Sequence, residues 1–221
     1  MKIIVKRPNG KHVRTLIILH GMNQDERDLD VIIKLIKNKR RGTKIILPIA
    51  DPLYIKWPDC TGEIINSWYN YYTRYDNMVK HDTINIGDFN KNTVKIKEII
   101  ENECSFIDPS KIFLCGISQG GTIAIDASLK LKFKINSILC IDTIFMHSYF
   151  DYINFSDISQ KFIVHQSKND EIYNTFFQDY CYSVLKNYGH TIEKFMFESS
   201  HTECMADIAD FISSKDRKSV V

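Results

Sequence analysis

The chain has 221 residues, 44% of them apolar and 12% aromatic, which is enough to bury one substantial core and short for two independent ones. Its 29 Lys and Arg against 27 Asp and Glu leave almost no net charge, so no overall field points to nucleic acid, and no run approaches the roughly 18 apolar residues that a membrane span needs. The six cysteines are scattered without CxxC pairing, and Cys115 and Cys140 lie inside apolar runs, a pattern expected of a reduced, cytoplasmic protein.

In chain order, short apolar runs predict strands at Ile3–Val5, Thr15–Leu19 and Lys44–Leu47. Between the second and third, Leu29, Ile32, Ile33 and Ile36 recur at i, i+3, i+4 and i+7, the spacing of one helix face. The segment from Pro48 to about Thr83 breaks the alternation and is rich in aromatic residues. A strand at Lys111–Cys115 leads into a helix with Ile123, Ala124, Ala127 and Leu131 on its apolar face, then a strand at Ile135–Ile141. A second break runs from Thr143 to about Gln160. Strands at Phe162–His165 and Ile192–Phe197 flank a helix from Tyr173 to Tyr188, and Met205, Ile208, Ala209 and Ile212 mark a last helix. The charged tail from about residue 214 is expected to fray. No linker or repeat divides the chain, so one domain is expected over residues 1–221. Strands too apolar for a one-sided sheet, alternating with helices, predict a mostly parallel α/β sheet covered on both faces. Ligands of such sheets sit beyond the C-terminal strand ends, from which both long breaks leave, so these are the expected walls and lid.

Gly116-Ile117-Ser118-Gln119-Gly120 stands where a predicted strand turns into a predicted helix. That is the context of a nucleophile elbow, the strand-to-helix turn of α/β-hydrolases, so tight that the positions two residues either side of the nucleophile cannot carry side chains. Ser118 is the candidate nucleophile, placed at a helix N-terminus that favours developing negative charge. A serine hydroxyl needs a base, itself oriented by a carboxylate. His201, after the last predicted strand, is the expected base. His12 lies in a polar turn, His81 in a long loop, and His190 before its strand, at the wrong sheet edge; His165, ending its strand, reads as a packed histidine. Asp170, after the strand Phe162–His165, is the preferred acid and Asp142 the runner-up, since both leave the same edge. The oxyanion donors are expected to be the amides of Gln119 and of Met22, in Leu19-His20-Gly21-Met22, where glycine lets the main chain approach the substrate. No second ligand at metal spacing accompanies His20, so neither metal nor cofactor is expected.

These motifs, with Asn23-Gln24-Asp25-Glu26-Arg27-Asp28-Leu29, Ser67-Trp68-Tyr69, Asp108-Pro109-Ser110, Ser118-Gln119-Gly120-Gly121 and Ser200-His201, resemble the phospholipase/carboxylesterase family, which includes acyl-protein thioesterases. The resemblance runs in order from about residue 14 to 213. It implies the α/β-hydrolase fold, Ser118, Asp170 and His201 as a triad, the Met22 and Gln119 amides as the oxyanion hole, and Trp68 on the acyl pocket, although Trp68 reads equally as a core tryptophan supporting the sheet edge. The substrate would be a small ester or thioester, an acylated protein among the candidates. Two departures bear on specificity. Asp142-Thr143 stands where the family has a small Ser-Gly pair, and His165-Gln166 replaces His-Gly, with the acid one residue further on. Aromatic residues around the expected mouth, Tyr54, Trp57, Trp68, Tyr69, Phe145, Tyr149 and Phe150, suit an apolar acyl group, or equally anchor loops. Competing readings are a peptidase or lactonase using the same triad and a non-catalytic hydrolase-like binding protein.

Overall fold

The structure is a computed structural model that describes residues 1–56, 62–76, 79–145, 157–203 and 205–215. The chain runs β1 (Lys2–Lys6), β2 (Arg14–Leu19), α1 (Asp30–Lys39), β3 (Thr43–Ile49), β4 (Pro52–Ile55), β5 (Glu63–Asn66), β6 (Tyr71–Asp76), β7 (Val79–Ile84) and α2 (Ile86–Glu103). It continues through β8 (Ile112–Ile117), α3 (Gln119–Leu129), β9 (Ser137–Ile141), β10 (Lys161–Asn169), α4 (Thr175–Asn187), β11 (Thr191–Ser200) and α5 (Met205–Lys215). The seven runs expected to be strands are those of one sheet, in the order β1-β3-β2-β8-β9-β10-β11. Only β1 is antiparallel to its neighbour.

Period-2 alternation divides the core between the two faces. Leu16 and Ile18 of β2 cluster with Ile32, Ile33 and Ile36 of α1 and Ile208 and Ile212 of α5. Ile17 and Leu19 belong to the cluster that holds Ile96 and Ile100 of α2, Ile123 of α3 and Leu185 of α4. Both faces of the central strands are therefore apolar, and each fully buried Ile or Leu contributes about 1.5–3 kcal/mol. At the N-terminal end of the sheet the buried Glu103 carboxylate accepts hydrogen bonds from Thr15 Oγ1 and from Lys44 Nζ, both at 2.6 Å. His12 lies at this end too, 2.8 Å from Thr15 Oγ1, and His190 precedes β11 as the sequence implied.

After β2 the chain passes to β3 on one side and later returns as β8 on the other, so strand order reverses between β2 and β8, where a crevice opens. Leu19 of β2 is in register with Gly116 of β8, which brings the His20-Gly21-Met22 loop beside the Ser118 turn. β10 and β11 are also neighbours, which brings the loops carrying Asp170 and His201 together.

Two features were not anticipated. The first aromatic break folds into two antiparallel hairpins, β4–β5 and β6–β7, followed directly by α2. α2 escapes a periodicity reading because polar Asn92 and Thr93 lie buried within its core-facing surface. Asn92 Nδ2 is used to donate to the Trp68 carbonyl at 2.5 Å. Of the second break, residues 146–156 lie outside the described residues, as do Trp57 and the tail beyond residue 215.

Candidate active site

Ser118 caps α3 with φ 49° and ψ −119°, a conformation that L-residues rarely adopt. Three glycines make the turn possible. A Cβ on Gly116 would lie 2.4 Å from the Gly121 Cα, one on Gly120 2.4 Å from the His20 carbonyl oxygen, and one on Gly121 2.4 Å from Thr143 Cγ2. The strained turn is then tied down from both sides. The Ser118 amide donates to the Ile141 carbonyl at 2.8 Å, and the Ser118 carbonyl accepts from Thr143 Oγ1 at 2.7 Å.

His201 Nε2 lies 2.8 Å from Ser118 Oγ, and Nδ1 lies 2.9 Å from Asp170 Oδ2. Since an ionised carboxylate only accepts, Nδ1 carries the proton and Nε2 is left to accept from the serine. Asp170 is fixed in turn. Its Oδ1 accepts from the amides of Ile172 and Tyr173 at 2.9 and 2.7 Å, and its Oδ2 from Gln178 Nε2 at 3.3 Å. The Tyr173 ring meets His201 edge-on, with centroids 5.5 Å apart. Gln178, fully buried on α4, was not anticipated from the sequence, because a glutamine on a helix carries no signal of its partner.

A cleft of about 170 Å³ opens over these groups, lined among others by Gly21, Met22, Ser118, Gln119, Tyr71, Ile172, Tyr173 and His201. Among the described residues neither the Met22 nor the Gln119 amide has a hydrogen-bond acceptor. The Gln119 side chain is committed elsewhere: its Oε1 accepts from the Trp68 amide at 2.9 Å and from Ser67 Oγ at 3.1 Å, while its Nε2 donates to the Tyr69 carbonyl at 3.0 Å.

The His20 ring is fully buried, and each of its nitrogens is used. Nε2 accepts from the Ala50 amide at 3.0 Å, so the ring is neutral with its proton on Nδ1, which donates to the Gly21 carbonyl at 2.6 Å. Burial holds this imidazole below its ordinary pKa, in keeping with that neutral state.

Trp68, which the resemblance places on the acyl pocket and which reads equally well as a core tryptophan, is not among the residues that line this cleft. It has no exposed surface; its Nε1 donates to the His20 carbonyl at 2.8 Å and its ring packs 5.0 Å from that of His20, so it backs the loop that presents Met22. Tyr69 and Phe145 are buried as well, and Tyr54 is half exposed; Tyr149 and Phe150 lie outside the described residues. The aromatic and apolar side chains on the cleft are Met22, Tyr71, Ile172 and Tyr173, and periodicity could not single out Tyr71 because it belongs to an unanticipated hairpin.

Asp142, the alternative acid, does not reach the His201 ring. Its carboxylate lies 3.1 Å from His165 Nδ1 and accepts from the Thr202 amide at 3.0 Å. Burial works against its ionisation, but the hydrogen bond and charge of His165, with donors from Thr202 and Ser167, outweigh that and hold it below the usual carboxylate range. The four non-glycine residues with positive φ among those described, Asn23, Ser118, Asp142 and Thr202, all lie in the loops at this end of the sheet.

Comparison with known proteins gives a consistent result. Residues 2–215 match the family model described as Phospholipase/Carboxylesterase. Acyl-protein thioesterase 1 of Cryptococcus neoformans var. neoformans serotype D is 27% identical over 139 residues, covering 62% of this chain and 56% of that protein, so the chain spans a little over half of this relative's length. Among solved structures, Arabidopsis thaliana SOBER1 superposes with a TM-score of 0.75 at 16% identity, covering 92% of this chain and 97% of that one. Zea mays acyl-protein thioesterase 2 gives 0.70 at 14% identity, covering 97% and 99%. The architecture is that of the α/β-hydrolases, and the chain belongs to the phospholipase/carboxylesterase family.

Proposed function

We propose that the chain is a serine hydrolase of carboxylic esters or thioesters, acting through an acyl-enzyme on Ser118. The observation that carries this reading is the unbroken series Asp170–His201–Ser118, with contacts of 2.9 and 2.8 Å ending on a hydroxyl at the mouth of a cleft. In this mechanism Ser118 Oγ attacks the acyl carbonyl while His201 Nε2 takes its proton. The Met22 and Gln119 amides face the oxygen on which negative charge develops, at the positively polarised start of α3. His201 returns the proton to the leaving alcohol or thiol. Water, deprotonated by the same nitrogen, then releases the acid. Asp170 holds the productive tautomer throughout and offsets the imidazolium charge. The apolar side chains of Ile172 and Tyr173 on the cleft favour an acyl group over a charged one, and the likeness to acyl-protein thioesterase 1 makes an acylated protein a candidate donor.

The test is labelling by a fluorophosphonate, which reacts only with an activated serine, together with turnover of a panel of acyl esters, thioesters, peptides and lactones. Labelling of wild type, none of Ser118→Ala, and turnover confined to esters and thioesters are the expected results. An unlabelled, inactive wild-type chain would overturn the reading in favour of a binding protein. Preferential cleavage of peptides or lactones would overturn its substrate class.

A further inference from the structure

The catalytic scheme gives the buried Asp142 carboxylate no task, yet its hydrogen bonds lead back to the residue beside His201. Asp142 directly follows β9 and is fully buried. Its Oδ1 accepts from His165 Nδ1 at 3.1 Å and from the Ser167 amide at 2.9 Å; its Oδ2 accepts from Ser167 Oγ at 3.0 Å and from the Thr202 amide at 3.0 Å. A hydroxyl can rotate and an imidazole can change tautomer, but the two amides are obligatory donors, and they approach opposite oxygens from different elements. A carboxyl group has an acceptor lone pair on each oxygen and meets both. A carboxamide must turn its NH₂ toward one amide or the other, leaving a buried donor facing a donor.

The position of Thr202 gives this arithmetic its consequence. It follows His201 immediately and holds φ at 48°, a costly conformation for a β-branched residue that persists only where the surroundings impose it. Thr143, next to Asp142, donates to the Ser118 carbonyl at 2.7 Å, and its own carbonyl accepts from Tyr182 Oη at 3.1 Å. The same two-residue turn after β9 therefore grips the backbone at Ser118 and at the residue after His201.

We propose that Asp142 is a positioning residue, which sets His201 against Ser118 by holding the Thr202 amide. This rests on the reading of His201 as the base of Ser118. Asp142 touches neither the substrate nor the reacting atoms in this scheme. It fixes the loop from which the imidazole projects, and misplacement of a catalytic group by about 1 Å can cost roughly a hundredfold in rate.

The experiment compares Asp142→Asn, Asp170→Asn and the double variant for kcat and KM on a short-chain nitrophenyl ester, for melting temperature, and for the strongly downfield proton resonance of His201 Nδ1–H. Asp142→Asn is expected to lower kcat by about 10- to 100-fold with KM within about twofold, and to shift or broaden the resonance. In the Asp170→Asn background the same change should cost less than about threefold, because the imidazole orientation is already lost. A second variant replaces Thr202 by its α-hydroxy acid, so that an ester oxygen removes only the one N–H; it should reproduce the kcat loss even where Asp142→Asn fails to fold. A folded Asp142→Asn or Thr202 ester variant with wild-type kcat and resonance, or fully additive losses in the double variant, would overturn the proposal. Should the wild-type chain neither turn over ester nor take a fluorophosphonate, it is the hydrolase reading that fails. The positioning proposal then stands or falls on the His201 resonance in the Asp142 variant.

Discussion

Two Asp–His pairs are built at the C-terminal ends of adjacent strands, with nearly the same contact and different surroundings. Asp170 and His201 meet at 2.9 Å, and the far nitrogen of the ring stands 2.8 Å from a hydroxyl at a cleft. Asp142 and His165 meet at 3.1 Å, but the ring is 2% exposed, stacked on Phe197 at 4.0 Å and edge-on to Phe211 at 5.2 Å. The pairing chemistry does not distinguish them. The third partner and access to the cleft do. His201 faces the Ser118 hydroxyl at the cleft, whereas the other pair sits in an apolar wall where it ties strands together.

The sharpest way to separate the two pairs is to disable the first. Ser118→Ala is expected to lower ester turnover by about 10⁶ and Asp170→Asn by about 10³ to 10⁴, both with little change in melting temperature. Residual turnover above about a hundredth of wild type in Ser118→Ala would remove that serine from the mechanism. Next in size is Gly121→Ala, whose new methyl would have to displace Thr143 from its place against the elbow. Overpacking of this kind costs about 1–3 kcal/mol, and a thermal melt indistinguishable from wild type would show that the turn after β9 does not brace the nucleophile.

The second pair should reveal itself in stability as a function of acid. Because the folded-state pKa of Asp142 is depressed, its ionised form stabilises the fold above the unfolded value of about 3.9, and that contribution is lost as pH falls through the folded value. The gap in melting temperature between wild type and Asp142→Asn should therefore shrink below about pH 4. A gap unchanged from pH 6 to pH 3 would mean that its charge contributes nothing. The smallest effect on turnover is expected for Trp68→Phe, which leaves the buried His20 carbonyl without its indole donor at a stability cost of about 1–3 kcal/mol. Ratios of KM between short and long acyl esters should stay as in wild type. A selective rise for long chains would return Trp68 to the substrate wall.

How much of this was legible depends on the range over which each feature is specified. Local chain geometry sufficed for the seven sheet strands and for the elbow, because apolar runs and the glycines at 116, 120 and 121 report a tight strand-to-helix turn without reference to anything distant. It also sufficed to nominate His201 over the other histidines, since position before or after a parallel strand decides which sheet edge a residue occupies. It did not suffice for α2, whose buried Asn92 and Thr93 disguise the helical period, or for the hairpins that fill the first aromatic break.

The sequence by itself determined the architecture, the serine at the elbow and two candidate acids on one edge of the sheet. Only the tertiary structure showed which of those acids meets the His201 ring, buried Trp68 behind the loop that carries Met22 and placed Tyr173 beside His201. The physical reason is one of scale. Hydrophobic periodicity fixes which face and which edge a residue occupies, to within a few ångströms. The direction of a hydrogen bond depends on how separate loops settle against one another: Asp170 and Asp142 leave neighbouring strands toward the same histidine loop, and one meets the ring while the other meets the amide of the next residue.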